Sequence, residues 1–122
     1  MKVSLLSILV PVYNEYDCIA LFYTRVKNVI DALPCPAEIL FVNDGSKDET
    51  LLSIQKLQSE DNRIAYVDLS RNFGKETAMC AGIDFIRGDA LVILDVDLQD
   101  PPELIPLMLK EIENGYDDVY AQ

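Results

Sequence analysis

Apolar residues fall along this chain in short, nearly unbroken runs rather than in strict alternation. Runs over 6–12, 38–43, 64–70, 90–95 and 118–121 are dominated by Ile, Val and Leu, the pattern of strands covered on both faces. Between them the apolar spacing lengthens to three and four. Ile19, Phe22, Val26, Val29, Ile30 and Leu33 form one stripe along a helix expected over 17–33. The "SKDE" from Ser46 to Glu49 has capping-box spacing and predicts a second helix that runs to residue 60. A third is expected over 75–86. The "DPPE" that follows Gln99 opens a fourth, with Asp100 as its cap and Gly115 as its end.

Strand and helix in strict alternation predict an α/β fold, a Rossmann-like parallel sheet with helices on both faces, because parallel neighbours need crossover connections. With 122 residues, the chain is expected to form one domain over 1–122. Ligands of such sheets bind outside the carboxyl ends of the strands. "PVYNE" follows the first run, "NDGSKDET" the second, "RNFGK" the third and "DVDLQD" the fourth. All four polar clusters therefore fall on one edge of the expected sheet.

Charge and composition narrow what that edge can bind. Ten Lys and Arg against 21 Asp and Glu give a net charge of −11, which argues against a nucleic acid partner, since such binding rests on cations that neutralise phosphates. The chain has no histidine, so proton transfer near neutral pH would fall to carboxylates, lysine or tyrosine. Cys18, Cys35 and Cys80 have no paired spacing and suit reduced thiols in a cytoplasmic setting. The start, "MKVSLLSILVPV", has the outline of a secretory leader, but it breaks at Pro11 without a small-residue cleavage site and is expected to be a buried strand.

Each cluster has a plain reading as well as a functional one. Acids after a strand are often helix caps or solvated loop residues. Asp100 has that task here, which leaves Asp95 and Asp97 without one; in an extended segment the two point the same way, with Gln99 on the same side. Two carboxylates and a neutral oxygen suit Mg2+ or Mn2+, which would take its remaining ligands from water and substrate phosphates. Ser46 reads as a helix cap. Asp44, at the end of a buried strand, is placed to accept hydrogen bonds from a base or sugar. In "RNFGK", Gly74 permits a backbone approach, while Arg71 and Lys75 serve either as counter-charges or as phosphate partners. No two of the five glycines make a Gly-x-Gly, so neither a dinucleotide fingerprint nor a glycine-rich phosphate loop is present.

"VPVYNE", "VNDGSKDET", "LSRNFGKETAMCAGIDFIRGD" and "VILDVDLQDPPE", in this order, resemble glycosyltransferase family 2, enzymes of the GT-A fold, and within it the group similar to dolichyl-phosphate mannosyltransferase and bactoprenol glucosyltransferase. The resemblance spans the whole chain. It implies the N-terminal part of a GT-A domain and transfer of a sugar from a nucleotide diphosphate sugar, UDP-glucose or similar, to a polyprenyl phosphate, with inversion at the anomeric carbon. By position it implies that Pro11, Val12, Asn14 and Glu15 border the nucleoside and that Asp44 holds the base. Arg71 and Lys75 would lie beside base and phosphates, and Asp95, Asp97 and Gln99 would hold the metal, with Asp95 also near the nucleotide.

Members of that family continue into an acceptor-binding half and often into membrane helices, whereas this chain ends at "DDVYAQ". The expectation is a nucleotide-binding half that holds donor and transfers poorly, from a protein working at the cytoplasmic face of a membrane. An unfinished sheet edge would favour self-association. Two rivals fit less well. A phosphotransferase with a nucleophilic Asp-x-Asp, or a receiver-type signalling module, would place its acids after the first strand, where this chain has Asn14 and Glu15. An interaction domain without ligand is the remaining alternative.

Overall fold

A computed structural model of the chain describes residues 2–97, 99 and 101–115. The elements in order are β1 (Leu6–Val12), α1 (Tyr16–Asp31), β2 (Ala37–Asn43), α2 (Thr50–Glu60), β3 (Ile64–Asp68), α3 (Lys75–Ile83) and β4 (Ala90–Ile93). A short 3₁₀ turn, Pro102–Leu104, then leads into α4 (Ile105–Glu113). The four strands pair in parallel in the order β3-β2-β1-β4. The expected α/β class and parallel sheet are therefore present, and the expected fifth strand and the Asp100 cap lie outside the described residues.

Every residue of β1 and β2 is buried, which accounts for their unbroken apolar sequence. Alternate side chains enter different cores. Ile8, Val10 and Val12 join Ile39 and Phe41 beneath Ile19, Phe22 and Val26 of α1, Ile54 of α2 and Ile105 and Leu109 of α4. Phe22 meets Phe41 edge to face, with ring centroids 6.1 Å apart, a geometry that contributes about 1 kcal/mol beyond burial. On the opposite face Leu9, Leu40 and Val42 pack with Ala78 of α3. Gly82 sets that distance, since a Cβ there would lie 2.4 Å from Leu9 Cδ1 and 2.7 Å from Val42 Cγ2.

Several expected boundaries move. β3 and β4 end at Asp68 and Ile93, where the polar segments beyond them leave the ladder, and α3 ends at Ile83, with the Phe85 N–H turning back to Gly82 O. The capping-box reading of Ser46 is corrected: α2 starts at Thr50, whose N–H donates to Asp48 Oδ1 at 3.0 Å. Ser46 Oγ instead accepts the N–H of Asn14. A spacing of three was present, but a nearer carboxylate won the first turn.

At the amino ends of the strands a buried carboxylate ties sheet to loop. Glu38, 5% exposed, accepts the Ser7 hydroxyl at 2.5 Å and the Arg87 N–H at 2.7 Å. Burial alone would raise its pKa, but these donors and the Arg87 charge hold it below the ordinary value. Elsewhere Asp61 accepts Arg63 through Nε and Nη2 at 3.0 and 2.8 Å and the Tyr23 hydroxyl at 2.8 Å. Burial, then the hydrogen bond to Asp61 and its negative charge, push the Tyr23 phenol up to about 12, against about 10 in an unfolded chain. The stability that Tyr23 contributes is thus complete below pH 10 and lost as pH rises through its folded pKa of about 12. We expect Tyr23→Phe to remove that part of the alkaline decline. Urea unfolding of both chains between pH 9 and 12 measures it, and an unchanged difference across this window would contradict the assignment.

Candidate functional site

The sheet opens at its carboxyl edge for a reason written into β1. The β1–β4 ladder extends to Leu9 and Ile93, and Leu94 N–H still donates to Leu9 O at 3.1 Å. Two residues on, with the same parity in the strand, Pro11 has no N–H to offer. β4 has no ladder to continue on that side, and Asp95 departs from the sheet where Pro11 stands. A turn begins at Val96 rather than the extended run expected there. Val96 is buried while Asp97 is exposed, so the carboxylates still face away from the core.

The loop after β1 is locked to the loop after β2. Asn14, at a positive φ of 51°, donates its N–H to Ser46 Oγ at 2.9 Å and accepts the Lys47 N–H at 2.7 Å through Oδ1. Glu15 N–H donates to Thr50 Oγ1 at 3.1 Å. The β2 loop is locked in turn to the segment before α3. Gly45, φ 70°, lies so close to it that a Cβ would meet the Arg71 carbonyl carbon at 2.2 Å and Asn72 N at 2.4 Å. The buried carboxylate of Asp44 accepts the Phe73 N–H at 2.8 Å and the Gly74 N–H at 3.1 Å.

These loops enclose a cavity of about 420 Å³. Pro11, Val12, Glu15, Asp44, Lys75, Asp95, Asp97 and Gln99 all line it, so eight of the residues singled out from sequence converge on one space. Tyr13, Asn72 and Gly74 line it too; sequence reasoning passed over the first two. Tyr13 carried a usable signal, an aromatic residue following a buried strand and lying between residues already selected. Asn14 and Arg71 do not line this cavity. Asn14 acts as the clamp just described, while the Arg71 guanidinium lies 4.2 Å above the Phe73 ring and faces a neighbouring cavity bounded by Asn43, Asp68 and Lys47. There Asn43 donates through Nδ2 to Asp68 at 3.0 Å, and its buried Oδ1 has no partner among the described residues.

The electrostatics of the main cavity favour a cation. Burial, and then the charges of Asp97 and Asp95, raise the Glu15 carboxyl above its ordinary pKa, against the Tyr13 N–H and Lys75, which lower it. Lys75 Nζ lies 2.5 Å from Asp95 Oδ1, and Asp97 Oδ1 accepts the Gln99 N–H at 3.3 Å. The donors at this end are hard oxygens, the kind that suits Mg2+ or Mn2+. Among the described residues no three or more Cys, Asp and Glu gather closely enough to hold an ion alone, so water or ligand oxygens would complete its shell.

Asp44 has a structural task that is separate from any ligand. Asp44→Ala would leave the Phe73 and Gly74 amides without their acceptor, at a cost of about 2 kcal/mol. We expect a lower urea midpoint and faster hydrogen exchange at those two amides, both measured without ligand. Exchange that stays at the wild-type rate would show that the loop does not depend on Asp44.

Known proteins resemble this chain in sequence and in fold. The Glycosyl transferase family 2 model matches residues 7–122. A Synechocystis glycosyltransferase, sll0501, is 47% identical over 116 residues, which are 95% of this chain and 36% of that protein. The bactoprenol glucosyl transferase of Shigella phage SfX is 44% identical over 122 residues, all of this chain and 39% of its own length. The chain thus spans well under half of these relatives. Among solved structures, glucosyl-3-phosphoglycerate synthase from Mycobacterium tuberculosis, in complex with Mn2+, UDP and glucosyl-3-phosphoglycerate, superposes with a TM-score of 0.70 at 20% identity, over 89% of this chain and 39% of the other. That likeness establishes the α/β fold, a parallel sheet with helices of the kind found in GT-A proteins. With its strand order, its loop motifs and a family match across nearly its whole length, the chain belongs to glycosyl transferase family 2.

Proposed function

We propose that this chain holds the donor in a metal-dependent, inverting transfer of a sugar from a nucleotide diphosphate sugar, UDP-glucose or similar, to a polyprenyl phosphate. The observation that carries this reading is the convergence of Asp44, Glu15, Lys75, Asp95, Asp97 and Gln99 on one cavity at the carboxyl ends of the strands. The bactoprenol glucosyl transferase relative supports the acceptor class. The neighbour bound to UDP and Mn2+ supports the donor and ion classes. No helix among the described residues is long and apolar enough to cross a membrane, so contact with a lipid-linked acceptor would use other parts of the protein or the membrane surface.

In this reading Pro11, Val12 and Glu15 border the nucleoside, and Asp44, already bonded to the loop amides, offers its remaining lone pairs to the base. Asp95 and Asp97, with Gln99, would hold Mg2+ or Mn2+. When bound, the ion supplies Lewis-acid stabilisation of the charge that develops on the departing diphosphate. Lys75 adds positive charge beside the same space. A polyprenyl phosphate is anionic near neutral pH and can attack without a strong general base, which a chain lacking histidine does not readily supply. The groups that seat the acceptor are assigned to no described residue, and this chain alone is expected to bind donor with little turnover.

Calorimetric titration with UDP and with GDP, in Mn2+ and again in excess chelator, tests the proposal. One nucleotide is expected to bind in the metal and to lose affinity by at least about tenfold in chelator, a difference of about 1.4 kcal/mol. Asp95→Ala and Asp97→Ala should each show the chelator result even with Mn2+ present. Undiminished Mn2+-dependent binding in both variants would refute the metal assignment, and no binding of either nucleotide by the folded wild-type chain would refute the donor site.

A further inference from the structure

Lys75 sits where its own helix disfavours it. It is the first residue of α3, where aligned peptide dipoles present partial positive charge that repels an ammonium group. Its Nζ leaves that field for Asp95 Oδ1, 2.5 Å away. That oxygen belongs to the carboxylate assigned above to a divalent cation. An ammonium group and a divalent ion crowded on one carboxylate repel each other, so one has to yield.

The backbone beneath Lys75 is poorly placed to move. Gly82 seats α3 directly on Leu9 and Val42, and Asp44 fixes the Phe73 and Gly74 amides that precede it. The side chain is free to do so, with Lys75 57% and Asp95 30% exposed, and lysine's four-carbon stem allows its charge to be repositioned. Glu15 and Asp97 face the same pair, so Lys75 also relieves repulsion among three carboxylates.

We infer that Lys75 is a resident counter-cation of Asp95 that exchanges places with the divalent ion and, once released, stands as positive charge for the diphosphate of the ligand. This rests on the metal assignment under the proposed function. One side chain then acts with opposite sign on two ligands: it opposes the ion in the empty chain and favours the anion in the loaded one. A purely structural lysine would change both affinities in the same direction or neither.

The test uses the 122-residue chain and reads Mn2+ uptake from the loss of the free-ion paramagnetic resonance signal, with no nucleotide present. UDP and GDP are then titrated at saturating Mn2+. Lys75→Met, with Lys75→Gln as a second neutral variant should the first fold poorly, is expected to take up Mn2+ about two- to fivefold more tightly, the scale of an exposed ion pair. The nucleotide bound by the wild type should bind the variant more weakly by a similar factor. Wild-type uptake of Mn2+ that is unchanged or weakened in both variants overturns the exchange and leaves the metal assignment standing. Failure of the wild type itself to take up Mn2+ without nucleotide overturns the exchange, while loss of nucleotide binding in chelator decides the metal assignment separately.

Discussion

β1 is hydrogen-bonded on both sides, to β2 through Val12 and to β4 only as far as Leu9. This unequal reach is the constraint on which the site depends. Parallel pairing brings every strand to the same edge with its carboxyl end outward, so four loops separated widely in sequence are made neighbours. The early end of the β4 ladder then leaves room between them. A sheet whose four strands ended level would bring the same loops together without an opening for Asp95 and Asp97.

The loops themselves are held more firmly than loops usually are. Asn14 joins the first to the second, Gly45 presses the second against the third, and Asp44 bonds the third through two amides. Polar groups that could have faced only solvent instead serve as struts. Much of the cavity is thereby shaped before any ligand arrives, which limits the ordering entropy that binding would otherwise cost. The exception is the Lys75 side chain beside Asp95, where shape is set by charge.

What could be seen in sequence followed from how local each signal is. The bounds of β1 were legible because burial on both faces leaves Ser7 as the one polar residue within the run, and the stripe of α1 was legible because Phe22 and Val26 repeat on one face. The members of the site were legible as polar residues at strand ends, since the parallel topology does the work of assembly. Ser46 was misread because its hydroxyl had two possible partners, the first turn of α2 and the Asn14 amide 32 positions away; spacing reveals only the nearer. The clamp role of Asn14 and the ion pair of Lys75 with Asp95 are likewise contacts between distant segments. No window along the chain contains them.

The backbone contact at Gly45 has a consequence for how such a site can diversify. With no side chain between the β2 loop and the segment at Arg71 and Asn72, neither has slack to absorb a change in the other. An insertion in one displaces its neighbour by the full thickness of a peptide. Recombination between relatives would therefore succeed when both segments come from the same parent and fail when they are drawn from different ones. The two stretches, 25 or so residues apart in the chain, form a single heritable unit.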